Sequence, residues 1–164
     1  MVYVMELYAH GHSRWAERGS RLGAAGVFLK TRGPWDFTRS RHLLTHKHQA
    51  TSQRSELLAM QVALEWILDR HRELTGGPSL DATVYSDSQY ALTTVTQLAE
   101  KWASKNWTNA KGFEVGNRDL IQEIYELLGE VKKIGKIKFL FIPKEQNQVA
   151  FSVCAEEMKR IPKA

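Results

Sequence analysis

Hydrophobic and polar positions along this chain change period several times, and each change predicts an element. Residues 3 to 10 (YVMELYAH) are β-prone and close at Gly11. Residues 22 to 30 (LGAAGVFLK) form a second apolar run, and 41 to 47 (RHLLTHK) a shorter third. Turn-like stretches between them predict an antiparallel meander. From Ser52 to about Leu74 the period lengthens: Leu57, Met60, Leu64, Ile67 and Leu68 recur at three- and four-residue steps, the stripe of an amphipathic helix. Gly76-Gly77-Pro78 stops it. Residues 82 to 86 (ATVYS) predict a short strand ending at Asp87, and Ser88 to about Lys105 a helix with room for a break. Asn117 is a good N-cap for a helix through about Lys132, with Asp119 in its first turn, where the helix dipole favours a carboxylate. Residues 136 to 142 (KIKFLFI) predict a last strand, stopped by Pro143. The terminal helix, from about Asn147, sets Val149, Val153, Cys154 and Met158 on one side. The order βββ-α-β-α-α-β-α predicts a mixed sheet with helices on its faces, the α/β class.

The 164 residues carry no repeat, low-complexity tract or Pro-rich linker, which predicts one domain over 1–164. With 43% hydrophobic and 25% charged residues, the composition excludes a collagen-like, coiled-coil or largely disordered chain. No apolar run approaches the roughly 18 residues of a membrane span, and the N-terminus lacks the pattern of a signal peptide. The single cysteine, Cys154, has no internal disulfide partner, so a reducing intracellular compartment, nucleus or cytoplasm, is expected. The net charge of +5 permits a polyanion partner without requiring one. Lys30, Arg32, Arg39, Arg41, Lys47, His42, His46 and His48 face a single acid, Asp36, in one stretch, which reads most simply as solvated surface.

Three stretches carry candidate chemistry: Thr51-Ser52-Gln53-Arg54-Ser55-Glu56, Tyr85-Ser86-Asp87-Ser88-Gln89-Tyr90, and Asn117-Arg118-Asp119-Leu120. In this order, and with these elements, they resemble ribonuclease H of the type-1 class over nearly the whole chain. The resemblance implies a five-stranded mixed sheet, three strands antiparallel and then two parallel, flanked by helices. It also implies a chemistry: in-line attack of water on the RNA strand of an RNA–DNA hybrid, with two Mg²⁺ ions about 3.5–4 Å apart on the attacking and leaving oxygens. Such ions want oxygen ligands, and the family supplies four carboxylates. Glu56 matches the second and Asp87 the third.

The other two are absent. Where the family's first strand ends Tyr-Thr-Asp-Gly, this chain has Tyr8-Ala9-His10-Gly11, and His10 replaces the acid that bridges both metals. Where the last helix carries Asn-x-x-Ala-Asp, this chain has Asn147-Gln148-Val149-Ala150-Phe151, and Phe151 replaces the fourth acid. Four carboxylates bring about −4 to the +4 of two Mg²⁺; Glu56 and Asp87 bring about −2. The expectation is a degenerate site at His10, Glu56, Asp87 and Phe151 with no functional catalytic residue and no resident cofactor. Glu56 and Asp87 would hold at most one ion, with Mg²⁺ or Mn²⁺ relevant only to residual activity. In a transition-metal alternative, His10 and His12, two apart on a strand and so on one side, join the two carboxylates.

Positions that family members use to hold the hybrid are matched by Thr51, Gln53, Arg54, Asn117 and Trp107, while Ser52 replaces an asparagine and the uncharged Gln49 a basic partner. Each also has a purely structural reading: Thr51 and Asn117 as caps, Arg54 in an ion pair, Trp107 in the core. The functional expectation is a non-catalytic module that binds nucleic acid, an RNA–DNA hybrid or duplex RNA. A protein–protein scaffold and a divergent metal-dependent ribonuclease are the alternatives. Ribonuclease H domains are commonly tethered to others, as in reverse transcriptases, so a larger multidomain protein or complex is one expected setting.

Overall fold

The computed structural model describes residues 1–16, 19–34 and 37–162; Asp36 of the basic stretch lies outside them. Strands β1 (Val2–Trp15), β2 (Arg21–Lys30) and β3 (Phe37–His42) precede helix α1 (Ser52–Glu73) and strand β4 (Ser79–Ser86). A helical run follows, α2 (Gln89–Thr93) and α3 (Ala99–Ser104) joined by a π turn over Thr94–Leu98. Then come α4 (Arg118–Ile134), β5 (Gly135–Phe141), a 3₁₀ turn at Lys144–Gln146 and α5 (Gln148–Arg160). The sheet order is β3-β2-β1-β4-β5. β1 pairs antiparallel with β2, as does β2 with β3; β1–β4 and β4–β5 are parallel. This is the five-stranded mixed sheet the resemblance implies.

The predicted stripe of α1 covers one face. Leu57, Met60, Leu64 and Ile67 are fully buried against Met5, Leu7, Val27, Leu80 and Val84, with Ile121, Ile124 and Val131 of α4 closing the layer. On the opposite face α5 lies across β1, β2 and β3. Its buried side is Ala150, Cys154, Glu157 and Met158, whereas Val149, expected there, is exposed. The register is set by Gly26, where any Cβ would run into the backbone of Ala150 and Cys154. The Cys154 thiol donates to the Ala24 carbonyl (3.3 Å), and burial pushes its pKa up to about 12.

Three local expectations are corrected. β1 continues four residues past Gly11, because that glycine is a packing contact: a Cβ there would strike the backbone of Ser55 in α1. The third strand lies at Phe37–His42, ahead of the apolar Leu43-Leu44 pair. It is a polar edge strand whose Arg39 and Arg41 donate to Asp69 (2.8 Å) and Glu65 (2.6 Å) of α1. Asn117 precedes α4 but sits at φ 62° and makes no side-chain cap bond. On β5, Leu140 and Phe141 are both exposed. α5 packs chiefly on β1, β2 and β3, and Leu140 of β5 is 43% exposed.

Candidate functional site

β1 and β4 run parallel, with Ala9 opposite Ser86, so the residues after this pair, His10 and Asp87, meet at the top of the sheet. His10 Nδ1–H donates to Asp87 Oδ2 at 2.8 Å, and the two side chains are 3% and 6% exposed. A carboxylate only accepts, so the proton is on Nδ1. His10 Nε2 is buried and has no partner. The Phe151 ring lies over the imidazole, 5.2 Å between centroids and tilted 51°. Asn147, fully buried at the start of α5, holds this arrangement by donating Nδ2–H to the Ala9 carbonyl (2.9 Å). Asn147 is a site residue that sequence reasoning missed. The signal was its place at the head of the stretch that ends in Phe151.

Glu56 stands in the second turn of α1, facing Ser88, whose hydroxyl donates to it. Burial pushes the Glu56 carboxyl above its ordinary pKa; the Ser88 bond opposes this, Asp87 adds to it, and His10 and Lys144 oppose it. His12 follows on the same side as His10, with ring centroids 6.3 Å apart. Burial depresses its pKa, and the neighbouring His10, Lys144 and Arg14 depress it further. Among the described residues, no group of three or more His, Cys, Asp and Glu side chains is arranged to hold a metal ion. The residues present do not fit a two-Mg²⁺ centre: one Asp87 oxygen is taken by an imidazole, and a phenyl ring borders the pocket where oxygen donors are needed. His10, His12, Glu56 and Asp87 likewise do not converge as ligands, because the His10 nitrogen facing Asp87 is already bonded to it.

The five hybrid-holding positions divide. Thr51 Oγ1 accepts the Arg54 backbone N–H (3.1 Å) and caps α1. Arg54 is buried and forks onto Asp119, Nη1 to Oδ1 at 2.9 Å and Nη2 to Oδ2 at 2.7 Å. That pair holds the Asp119 carboxyl below its ordinary pKa. Arg54 Nη1 also reaches Asn117 Oδ1 (3.5 Å), and Asn117 Nδ2 donates to the Tyr90 hydroxyl (3.1 Å). Arg54, Asn117, Asp119 and Tyr90 therefore form one polar knot joining α1, α2 and α4. Trp107 is 6% exposed and packs edge-on to Tyr125 with ring centroids 5.8 Å apart, so its faces are inside the core. Gln53 alone of the five is exposed. Tyr90 and Asp119 are the partners that sequence reasoning left out of the site.

Comparison with known proteins agrees with this fold. The RNase H family model matches residues 4–149, ending just before Phe151. Ribonuclease HI of Haemophilus ducreyi is 30% identical over 111 residues, covering 68% of this chain and 64% of that protein. A probable ribonuclease H of Acanthamoeba polyphaga mimivirus is 34% identical over 76 residues, 46% of this chain and 31% of that protein. The chain thus spans less than two thirds of these relatives. Among solved structures, the foamy viral protease-reverse transcriptase in complex with RNA/DNA hybrid superposes with a TM-score of 0.75 at 16% identity, over 97% of this chain and 20% of that one. LC11-RNase H1 in complex with RNA/DNA hybrid gives 0.69 at 17% identity, over 95% and 97%. At these identities the structures speak for the fold, and the family match over most of the chain speaks for descent: the chain belongs to the RNase H family.

Proposed function

We propose that this domain keeps the RNase H scaffold to bind nucleic acid, an RNA–DNA hybrid or duplex RNA, and does not cut it. The observation that carries this reading is the His10–Asp87 hydrogen bond of 2.8 Å beneath the Phe151 ring. It replaces a cluster of oxygen ligands by a bonded imidazole and an apolar cover. Glu56 and Asp87 alone leave about −2 of charge for ions that carry +4. Binding is supported by family membership and by the cations Arg14, Lys144 and Lys159 around the site.

The test incubates labelled RNA–DNA hybrid with the intact chain in Mg²⁺ and in Mn²⁺, beside a Glu56→Ala control, and follows with gel shifts on hybrid, duplex RNA and duplex DNA. No cleavage above the control, together with a shifted hybrid or RNA band, is expected. Cleavage that Glu56→Ala abolishes overturns the non-catalytic reading in favour of a divergent metal-dependent ribonuclease. A second reading, a protein–protein scaffold, has one observation behind it. Phe28, Tyr8, Tyr85 and Leu140 are register partners forming a row across β2, β1, β4 and β5, with Tyr8 and Tyr85 stacked at 4.6 Å. Failure of all three duplexes to bind at low salt would favour it.

A further inference from the structure

The two edges of the sheet are finished differently. β3 carries Arg39 and Arg41, both bonded to acids of α1. Among the described residues β5, at the other edge, has no strand beyond it. The Ile142 N–H donates to the Ser86 carbonyl at 2.9 Å, and alternation back along the strand turns the N–H and C=O groups of Phe141, Phe139 and Ile137 to the open side. The side chains also sort by face. Lys136, Lys138 and Leu140, all exposed, lie in register with Asp81, Thr83 and Tyr85. Ile137 and Phe139 turn the other way and pack against the core. An open groove of about 590 Å³ follows the first half of this edge, lined by Asp81, Lys132, Gly135, Lys136, Ile137 and Lys138. Among the described residues, Lys132, Lys136 and Lys138 make no ion pair, whereas the adjacent Lys133 is held by Glu130 at 3.0 Å.

We propose that β5 is a docking edge for an extended, acidic segment of a partner protein, which adds to the sheet as a further strand. The unpaired ladder groups of β5 match an extended backbone, and the lysines match carboxylates. Lysines on an edge guard it against neutral strands, and a second copy of this edge paired antiparallel would add further lysines to the same face. An acidic strand meets those lysines as opposite charges. Asp81, the one acid of the groove, is outnumbered three to one by lysines. The two faces of β5 also fix the pattern of the occupant: acids beside Lys136 and Lys138, alternating with apolar side chains beside Ile137 and Phe139. The proposal goes beyond the nucleic-acid reading and stands without it.

The experiment is an NMR titration of the intact chain at neutral pH with a capped peptide of alternating Glu and Val, matched in length to β5. The controls are the same peptide with Lys in place of Glu, and the Glu peptide with a central Pro, which removes a ladder donor. Amide exchange is followed along β5. The Glu peptide is expected to slow exchange at Ile137, Phe139 and Phe141 and to leave Lys138 and Leu140, whose amides already face β4, unchanged. Both controls should fail to do so. The double variant Lys136→Gln/Lys138→Gln should weaken peptide binding roughly fivefold, the loss of two surface charge pairs. Because both lysines are exposed, its melting temperature should match that of the unsubstituted chain, which separates lost binding from lost folding. No protection at millimolar peptide overturns the proposal, as does equal protection by the Lys peptide. An RNA–DNA hybrid that displaces the peptide assigns the lysines to phosphate and overturns it too.

Discussion

Arg54 and Glu56, two residues apart on α1, have opposite effects on stability. The Arg54 guanidinium is buried and forks onto Asp119, whose carboxylate remains half in solvent. Arg54→Ala should therefore destabilise the fold by about 1.5–3 kcal/mol, the range for hydrogen bonds to charged groups, measured by urea unfolding. Because the folded-state pKa of Asp119 is depressed, the pair contributes fully above the ordinary carboxylate range and is lost as pH falls through the lower folded value. The variant should show a flatter acid limb in a plot of stability against pH. Glu56 behaves in the reverse sense. Its folded-state pKa is raised above 4.5, so stability declines as pH rises through the interval between the unfolded and folded values. Glu56→Gln, which can still accept from Ser88, should stabilise the protein by about 0.5–1 kcal/mol at neutral pH. The gain should vanish in acid, where both forms are uncharged. An equal gain at every pH would show that packing, and not charge burial, is responsible.

At the level of elements, two helices are set by glycines. Gly11 admits the α1 backbone and Gly26 the α5 backbone, each in the space of a missing Cβ. Gly26→Ala should push α5 off β2 and cost about 1–3 kcal/mol by thermal unfolding, the typical penalty for overpacking. It should also disturb the Phe151–His10 contact, visible as a changed Phe151 ring signal. The same glycines explain what was legible in the sequence. Periodicity gave α1 and the inner strands, because their apolar faces are long and regular, whereas α4 was read from Asn117 and Asp119 at its start. It ended β1 at Gly11, since a glycine that accommodates a neighbouring helix looks in one dimension like a turn. β3 was misplaced because an edge strand needs few apolar residues, and its alternation is hidden in Arg39 and Arg41, which reach back to acids of α1. The π turn at Thr94–Leu98 had no pattern of its own beyond the room for a break between Ser88 and Lys105.

For the whole molecule, net charge overstates what a polyanion meets. Arg39, Arg41 and Arg54 are spent on Asp69, Glu65 and Asp119. Around the candidate site stand Arg14, Lys144 and Lys159, the last in an exposed pair with Glu156 at 3.2 Å. Duplex affinity should therefore fall with salt along a shallow slope, about −2 to −3 in log K against log salt. A slope steeper than about −5 would mean that the β3 stretch also touches phosphate. The four candidate site positions were readable at the same scale, because the family pattern located His10, Glu56, Asp87 and Phe151 before any geometry. The partners of Arg54 and Asn117, and the burial of Trp107, depend on contacts between distant segments and had no linear signal. The His10–Asp87 bond has one more consequence. A resident ion must be captured from solution and can be stripped away, whereas an imidazole arrives with the polypeptide at a local concentration fixed by β1 and β4. On the non-catalytic reading proposed above, dialysis against a chelator should remove nothing from such a pocket, and unfolding curves recorded with and without EDTA should superimpose.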